Sequence, residues 1–310
     1  MTVNFDEALA HYLALRRRLG HKLADAERVL DRFVVFLDDA GAEAVTLDTA
    51  LGFILDPDLD PASTNQSRRL QAVRGFTRYL AGIDPATEIP PAGLVSYRAP
   101  RRQPYLFTDD EVTTVMAGMA ASARTPQRAV TLQTLIGLLA VTGMRVGEAI
   151  RLDDTDIDRD TAVITIRATK FGKSRQVLNS ADTIDALDIS RAIRDDAATP
   201  PGCRRVFVSG AGTPVAYSHL CGTFRRTVDT TGIGAGHPTP PRIHDLRHTF
   251  AVRALVGWHR SGADVAAMLP RLSTYLGHRE PRYTYRYLTA TPELLGHAAD
   301  LLEADQEARR

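Results

Sequence analysis

The sequence predicts a mostly α-helical protein with a small β-sheet or hairpin, an α+β class, built in two parts. Three observations carry this. Apolar residues recur at helical spacing through most of the chain, with capping signals at several starts. One stretch, Val163 to Leu178, is instead rich in β-branched residues around Gly172, as in a hairpin. Between Asp84 and Pro104 lie Pro85, Pro90, Pro91, Pro100 and Pro104 with almost no periodicity, the composition of a linker. At 310 residues the chain is long enough for two domains with separate cores. The expected organisation is a helical domain over 1–83, a linker over 84–104 and a second domain over 105–310.

Asn4 to Ile83 reads as four helices. Leu23, Ala26, Leu30, Phe33 and Leu37 form an apolar stripe that ends before Gly41. Val45 to Leu55 makes a short third helix. The fourth, Ser63 to Ala81, turns Leu70, Val73, Phe76 and Leu80 inward and shows Ser67, Gln71, Arg74 and Arg78 on its other face. That face has the chemistry to enter a DNA major groove, with Gln71 at a base edge and the arginines on phosphate or guanine. It is equally the chemistry of an ordinary solvated helix. In the linker, Arg98, Arg101 and Arg102 suit a strap crossing a phosphate backbone.

The second domain opens on Thr108-Asp109-Asp110-Glu111, a capping box ahead of Val112 and Met116. The apolar run Leu135 to Val141 reads as a buried helix closed by Gly143, with a new helix starting near Arg145 and Glu148 one turn further on. Arg205 to Val208 reads as a short strand. His244 and Arg247, three apart, share a helix face. Pro292 suits the first turn of a last helix, about 289–305, whose stripe is Leu294, Leu295, Ala298, Leu301 and Leu302.

Composition narrows the class. Hydrophobic residues make up 44% and charge is mixed, which excludes a disordered or fibrous chain. No run is long enough to span a bilayer, and Met1 to Glu7 has no signal-peptide character. Cys203 and Cys221 suggest no disulfide framework, so a cytoplasmic location is expected. Neither a phosphate-cradling glycine loop nor a metal-ligand cluster is evident, so no cofactor and no metal are expected. A formal net charge of +1 is modest for a nucleic-acid partner, so positive charge must be concentrated locally. It is: arginines cluster at Arg16-Arg17-Arg18, Arg68-Arg69, Arg74 and Arg78, and along the linker.

The remaining chemistry centres on phosphate. Arginine offers a planar fork of donors that matches phosphate oxygens and stays charged, and Arg145 and Arg247 are placed to use it. Lysine, unlike arginine, can give up a proton, and among 38 basic residues it occurs only at Lys22, Lys170 and Lys173. Two of these fall on the hairpin, where a mobile general acid is one reading and a solvated charged turn the other. A tyrosine hydroxyl is a weak nucleophile that neighbouring cations activate. Tyr283, Tyr285 and Tyr287 all follow Leu276-Gly277-His278 closely enough for that role.

Taken together these motifs resemble the tyrosine recombinase, phage-integrase-like family. Its pattern is an arginine in T-G-[LM]-R-x-x-E, a hairpin lysine, H-x-x-R-H, L-G-H and a tyrosine nine residues later. Thr142 to Glu148, Lys170, His244 to His248 and Leu276 to His278 match, and nine residues beyond His278 is Tyr287. The resemblance covers essentially the whole chain and implies a helical amino-terminal DNA-clamping domain and a catalytic domain. It implies Tyr287 as nucleophile, forming a 3′-phosphotyrosyl bond, and Lys170 rather than Lys173 as donor to the leaving 5′-hydroxyl. Arg145 and Arg247 would stabilise the transition state, His244 and His278 would bond its oxygens, and Glu148 and His248 would support them from behind. Implied partners are double-stranded DNA, further copies joined in a tetrameric synapse through the carboxy-terminal helix, and accessory DNA-bending or directionality proteins.

The Tyr-Leu-Thr-Ala-Thr-Pro-Glu-Leu-Leu ending and the long stretch from Arg247 to His278 resemble recombinases of mobile elements. Integration or excision of such an element is therefore placed first and Xer-like resolution of DNA multimers second. A recombinase-derived but catalytically silent DNA-binding protein and a type IB topoisomerase-like enzyme share many of the same features.

Overall fold

The computed structural model describes residues 3–56, 65–95, 103–167, 174–196, 203–278, 280, 282–288 and 296. The chain forms two compact units, Met1–Arg102 and Gln103–Arg310.

In the first unit, helices α1 (Phe5–Arg18), α2 (Ala24–Asp39), α3 (Leu47–Ile54) and α4 (Asn65–Leu80) enclose one core. Polar residues set the starts: the Asn4 side chain accepts from the Glu7 amide at 3.1 Å, and Thr46 and Thr49 cap each other across the start of α3. Leu30, Phe33 and Leu37 of the expected stripe are fully buried against Val73, Phe76 and Leu80 of α4. Ala26 is only half-buried, and Leu23 sits before the helix in left-handed backbone, φ 42°. The Arg68-Arg69 cluster splits. Arg68 is exposed, whereas Arg69 is buried, donating to the Phe53 carbonyl at 2.5 Å, pairing with Asp56 at 3.1 Å and stacking over the Phe53 ring. Arg69 thus belongs to the core.

The second unit begins with α5 (Asp109–Ala121), capped by Thr108 and Glu111 as expected, and the apolar α6 (Pro126–Thr142). Next come the single turn α7 (Val146–Ala149) and the antiparallel strands β1 (Ile157–Asp158), β2 (Val163–Ile166) and β3 (Arg175–Leu178), in the order β1-β2-β3. Ile164 faces Val177 and Ile166 faces Arg175, which fixes the hairpin register. Helices α8 (Ala181–Asp196), α9 (Tyr217–Thr231), α10 (Asp245–Arg260), α11 (Val265–Leu276) and α12 (Arg282–Tyr285) complete it. A core running from Phe107 to Leu246 joins α5, α6, the sheet and α9. A second cluster joins α10, α11 and Tyr287.

One expected element differs. Arg205 to Val208 makes only isolated bridges, Asp153 with Arg205 and Val208 with Pro214. Val206, Phe207 and Val208 are all buried. Their apolar run reflects a segment enclosed on both sides, which periodicity alone does not separate from a strand. Among the described residues no helix is long and apolar enough to cross a membrane. The expected last helix, about 289–305, lies outside the described residues apart from Gly296.

Candidate active site

Two glycines create the site's framework. Gly143 ends α6 and Gly277 ends α11, both in left-handed backbone at φ 60° and 67°. A Cβ at Gly143 would lie 2.5 Å from Phe250, and one at Gly277 would lie 2.9 Å from Arg175, so both positions also need the missing side chain. These carbonyl-rich helix ends carry partial negative charge and are met by arginines. Arg145 donates to the Gly277 carbonyl at 2.7 Å. Arg247, buried in α10, donates to the Gly143 carbonyl at 2.7 Å and the Leu276 carbonyl at 2.6 Å. Each arginine thereby ties the helix end beside the other. Every η nitrogen carries two hydrogens, so donors remain for a bound anion.

Glu148 organises the cations. Its carboxylate accepts from the Arg145 amide at 2.9 Å and guanidinium at 2.8 Å. It also accepts a bidentate pair from Arg175 at 3.0 and 2.7 Å. Burial by itself would raise its pKa, but the Arg175 and Arg145 donors outweigh this and hold it down at about 2. Arg175 reaches back from β3 and also donates to the Tyr275 carbonyl at 2.7 Å. Burial and the nearby Arg145 lower Arg247 to about 10, which leaves it charged at neutral pH.

Three imidazoles face this cluster. His244 stands at the start of α10, and its ring meets that of His248 edge-on, centroids 5.0 Å apart. His278 follows Gly277 and shares a 2.8 Å hydrogen bond with the Thr284 hydroxyl. Burial, then Arg247 and Arg286, lowers His244 to about 4. Burial, then Arg286 and His244, lowers His248 to about 3; burial, then Arg247 and Arg145, does the same for His278. His244 is exposed on one side, so solvent screens its shift more than those of the other two. All three are neutral near pH 7 and able to accept as well as donate.

Tyr287 lies among these groups. It is 1% exposed, its ring stacks near-parallel to His278 at 6.1 Å, and His248 meets it at 5.4 Å. Its hydroxyl is buried without a hydrogen-bond partner, an unusual condition for a buried polar atom. Tyr283 and Tyr285 are 42% and 52% exposed. The fold therefore brings together Arg145, Glu148, His244, Arg247, His248, His278 and Tyr287. Lys170 and Lys173, with Arg98, Arg101 and Arg102, lie outside the described residues. Among those residues no group of three or more His, Cys, Asp or Glu side chains is placed to hold a metal.

Two site residues escaped the sequence reading, Arg175 and Arg286. Arg175 carried a signal only as a charged residue opening a hairpin strand, opposite Ile166. In the first unit, Gln71 and Arg78 are exposed on α4, and Ser67 and Arg74 are half-buried beside them. Arg28 and Arg32 of α2 line a polar groove with Arg68, in which Asp25 pairs with Arg28 at 2.8 Å and Arg68 at 3.8 Å.

Comparison with known proteins gives the family. A model of the phage integrase family matches residues 106–293. The chain is 38% identical over 98% of its length to the putative integrase/recombinase y4rB of Sinorhizobium fredii (strain NBRC 101917 / NGR234), covering 99% of that protein. It is 32% identical over 77% of its length to tyrosine recombinase XerD of Mycobacterium tuberculosis, covering 75% of it. In fold it is similar to the Tn1549 transposon integrase in complex with transposon right end DNA, with a TM-score of 0.63, 17% identity, and coverage of 97% and 98% of the two chains. With the family model spanning more than half of the chain and y4rB matched along nearly all of it, this protein belongs to the phage integrase family and is a tyrosine-type site-specific recombinase.

Proposed function

We propose that this recombinase cleaves and rejoins DNA through a covalent 3′-phosphotyrosyl intermediate formed on Tyr287, in the integration or excision of a mobile element. The observation that carries the reading is the buried, unpartnered Tyr287 hydroxyl enclosed by Arg247, His248 and His278. The Tyr287 oxygen attacks the scissile phosphorus as its proton passes to a neighbouring neutral imidazole, and the bond to the 5′ oxygen breaks. Lys170 delivers the proton that the leaving 5′-hydroxyl requires. Arg145 and Arg247 neutralise the charge that gathers on the non-bridging oxygens, a contribution worth ~10²–10³ in rate per preorganised donor. His244 and His278, neutral at working pH, bond those oxygens and pass protons. A 5′-hydroxyl from a partner strand then reverses the step. The ester conserves the bond energy, so the reaction needs neither ATP nor a metal.

The amino-terminal unit is the DNA clamp in this reading. Gln71 and Arg78 of α4, with Ser67 and Arg74 beside them and Arg28, Arg32 and Arg68 along the α2–α4 groove, take the duplex. Arg98, Arg101, Arg102 and Lys173 add phosphate contacts. Four copies assemble on paired sites through the segment 289–305, with accessory DNA-bending or directionality proteins setting the outcome.

The mobile-element role is supported by y4rB, a putative integrase/recombinase aligned along nearly the whole chain. The XerD relatives favour the second reading, resolution of DNA multimers. A plasmid carrying two binding-selected sites tests the function. Recombinant junctions in wild type support it; relaxation of supercoils without junctions supports a topoisomerase-like enzyme, and binding without either supports a silent DNA-binding protein. Efficient intermolecular insertion favours integration, and reaction confined to directly repeated sites favours resolution.

A further inference from the structure

Arg286 stands one residue before the nucleophile of the proposed reaction and has no assigned role. Tyr287 is reached from α12, a helix of four residues, by a turn in which the Tyr287 amide bonds the Thr284 carbonyl and the Leu288 amide bonds the Tyr285 carbonyl, each at 3.0 Å. So short an element fixes its tyrosine only through what it packs against. Arg286 supplies that packing. Its Nη2 lies 3.1 Å from His248 Nε2 and 3.4 Å from Nδ1, and its Cζ lies 5.5 Å from the Tyr287 ring centroid. We propose that Arg286 is a positioning residue for strand cleavage, bridging His248 of α10 to the Tyr287 ring and so seating the nucleophile-bearing turn. This rests on the reading of Tyr287 as nucleophile.

The chemistry of the contact is directional. A guanidinium only donates, so the His248 nitrogen it bonds must be the unprotonated one. Arg286 thereby favours a His248 ring with an unprotonated nitrogen turned to it, and its charge over the tyrosine ring adds a cation–π attraction. The groups around it are cationic or neutral: Arg242, His244, Arg247 and His248 at and within α10, Arg145 at the start of α7, Arg175 of β3 and His278 after α11. Two carboxylates are the exceptions: Glu148, saturated by Arg145 and Arg175, and Asp245 of α10, buried and accepting from the Arg242 amide at 2.8 Å. Burial is the first cause of the low pKa at His244, His248 and His278, and Arg286 contributes to all three. Losing it would let these imidazoles take up protons at higher pH.

The test measures covalent adduct formation on binding-selected, nicked duplexes through an acid-to-neutral pH series, with DNA affinity measured alongside. Arg286→Met is expected to slow the adduct about 10- to 100-fold by loosening the nucleophile's geometry. DNA affinity should stay at the wild-type value and the acidic limb should move to higher pH. Arg286→Lys should return the limb towards wild type and part of the rate; it decides alone if Arg286→Met fails to fold. Wild-type rate and pH profile in Arg286→Met would overturn the proposal. So would a slowing matched by lost DNA affinity and a shallower salt dependence, which would make Arg286 a backbone-phosphate contact. Absence of any adduct in wild type would overturn the strand-cleavage reading itself, a failure distinct from these.

Discussion

Glu148 anchors two arginines from opposite directions, Arg145 three residues before it and Arg175 twenty-seven after it. Removing its charge in Glu148→Gln takes away the carboxylate that both guanidinia share, and the adduct rate is predicted to fall ~10²-fold as the donors lose their aim. Arg175→Met has a different signature. It leaves the buried carboxylate with Arg145 alone, a loss below the ~3–5 kcal/mol of a wholly unpaired buried charge, read from thermal unfolding at neutral pH. Because the Glu148 pKa is depressed to about 2, the stability it contributes is fully present above its ordinary value near 4.5 and is lost as pH falls towards 2. The Arg145–Glu148 contact was legible in the sequence because three-residue spacing on a helix is a local rule. Arg175 was not, since its partner comes from another element and only the hairpin register of β2 and β3 turns it to Glu148.

Helix ends and one helix face carry the element-scale account. Gly143→Ala places a side chain in left-handed backbone and against Phe250, and is predicted to destabilise by more than about 1 kcal/mol in denaturant unfolding. The cap at Thr108 was legible because a cap is chemistry within three residues. The misread strand at Arg205 to Val208 shows the converse, where burial on both sides erased the period that separates a strand from a packed coil. On α4, spacing gave Gln71 and Arg78 as exposed, but it could not show that Arg69 turns inward to Phe53 and Asp56. If the α2–α4 groove receives backbone phosphates, Arg28→Ala and Arg68→Ala each reduce the salt slope of DNA binding by about one and weaken all sequences alike. Gln71→Ala instead relaxes sequence preference at one position, measured by selection from randomised duplexes.

For the molecule as a whole, a net charge of +1 conceals a catalytic-domain centre dense in arginine. Burial, reinforced by that density, keeps His248 and His278 unprotonated well below the usual histidine range, both near 3. Such groups contribute stability that is complete above about 6.5 and declines as pH falls towards 3, since the unfolded chain binds the protons first. Thermal unfolding followed from neutral to acid pH should show this decline starting near the histidine value, ahead of the carboxylates. The family pattern was legible because its motifs are short and ordered along the chain. The enclosure of Tyr287, unlike the exposure of Tyr283 and Tyr285, emerged only from the packing of α10, α11 and α12.

The central claim is that Tyr287 forms a covalent bond to DNA without a metal. Wild type, Tyr287→Phe and Tyr285→Phe are incubated in EDTA with binding-selected duplexes nicked near the crossover, then resolved on a denaturing gel. A protein–DNA adduct in wild type and Tyr285→Phe that disappears in Tyr287→Phe is the predicted result. An adduct that survives Tyr287→Phe, or none from wild type on sites it demonstrably binds, would contradict the account.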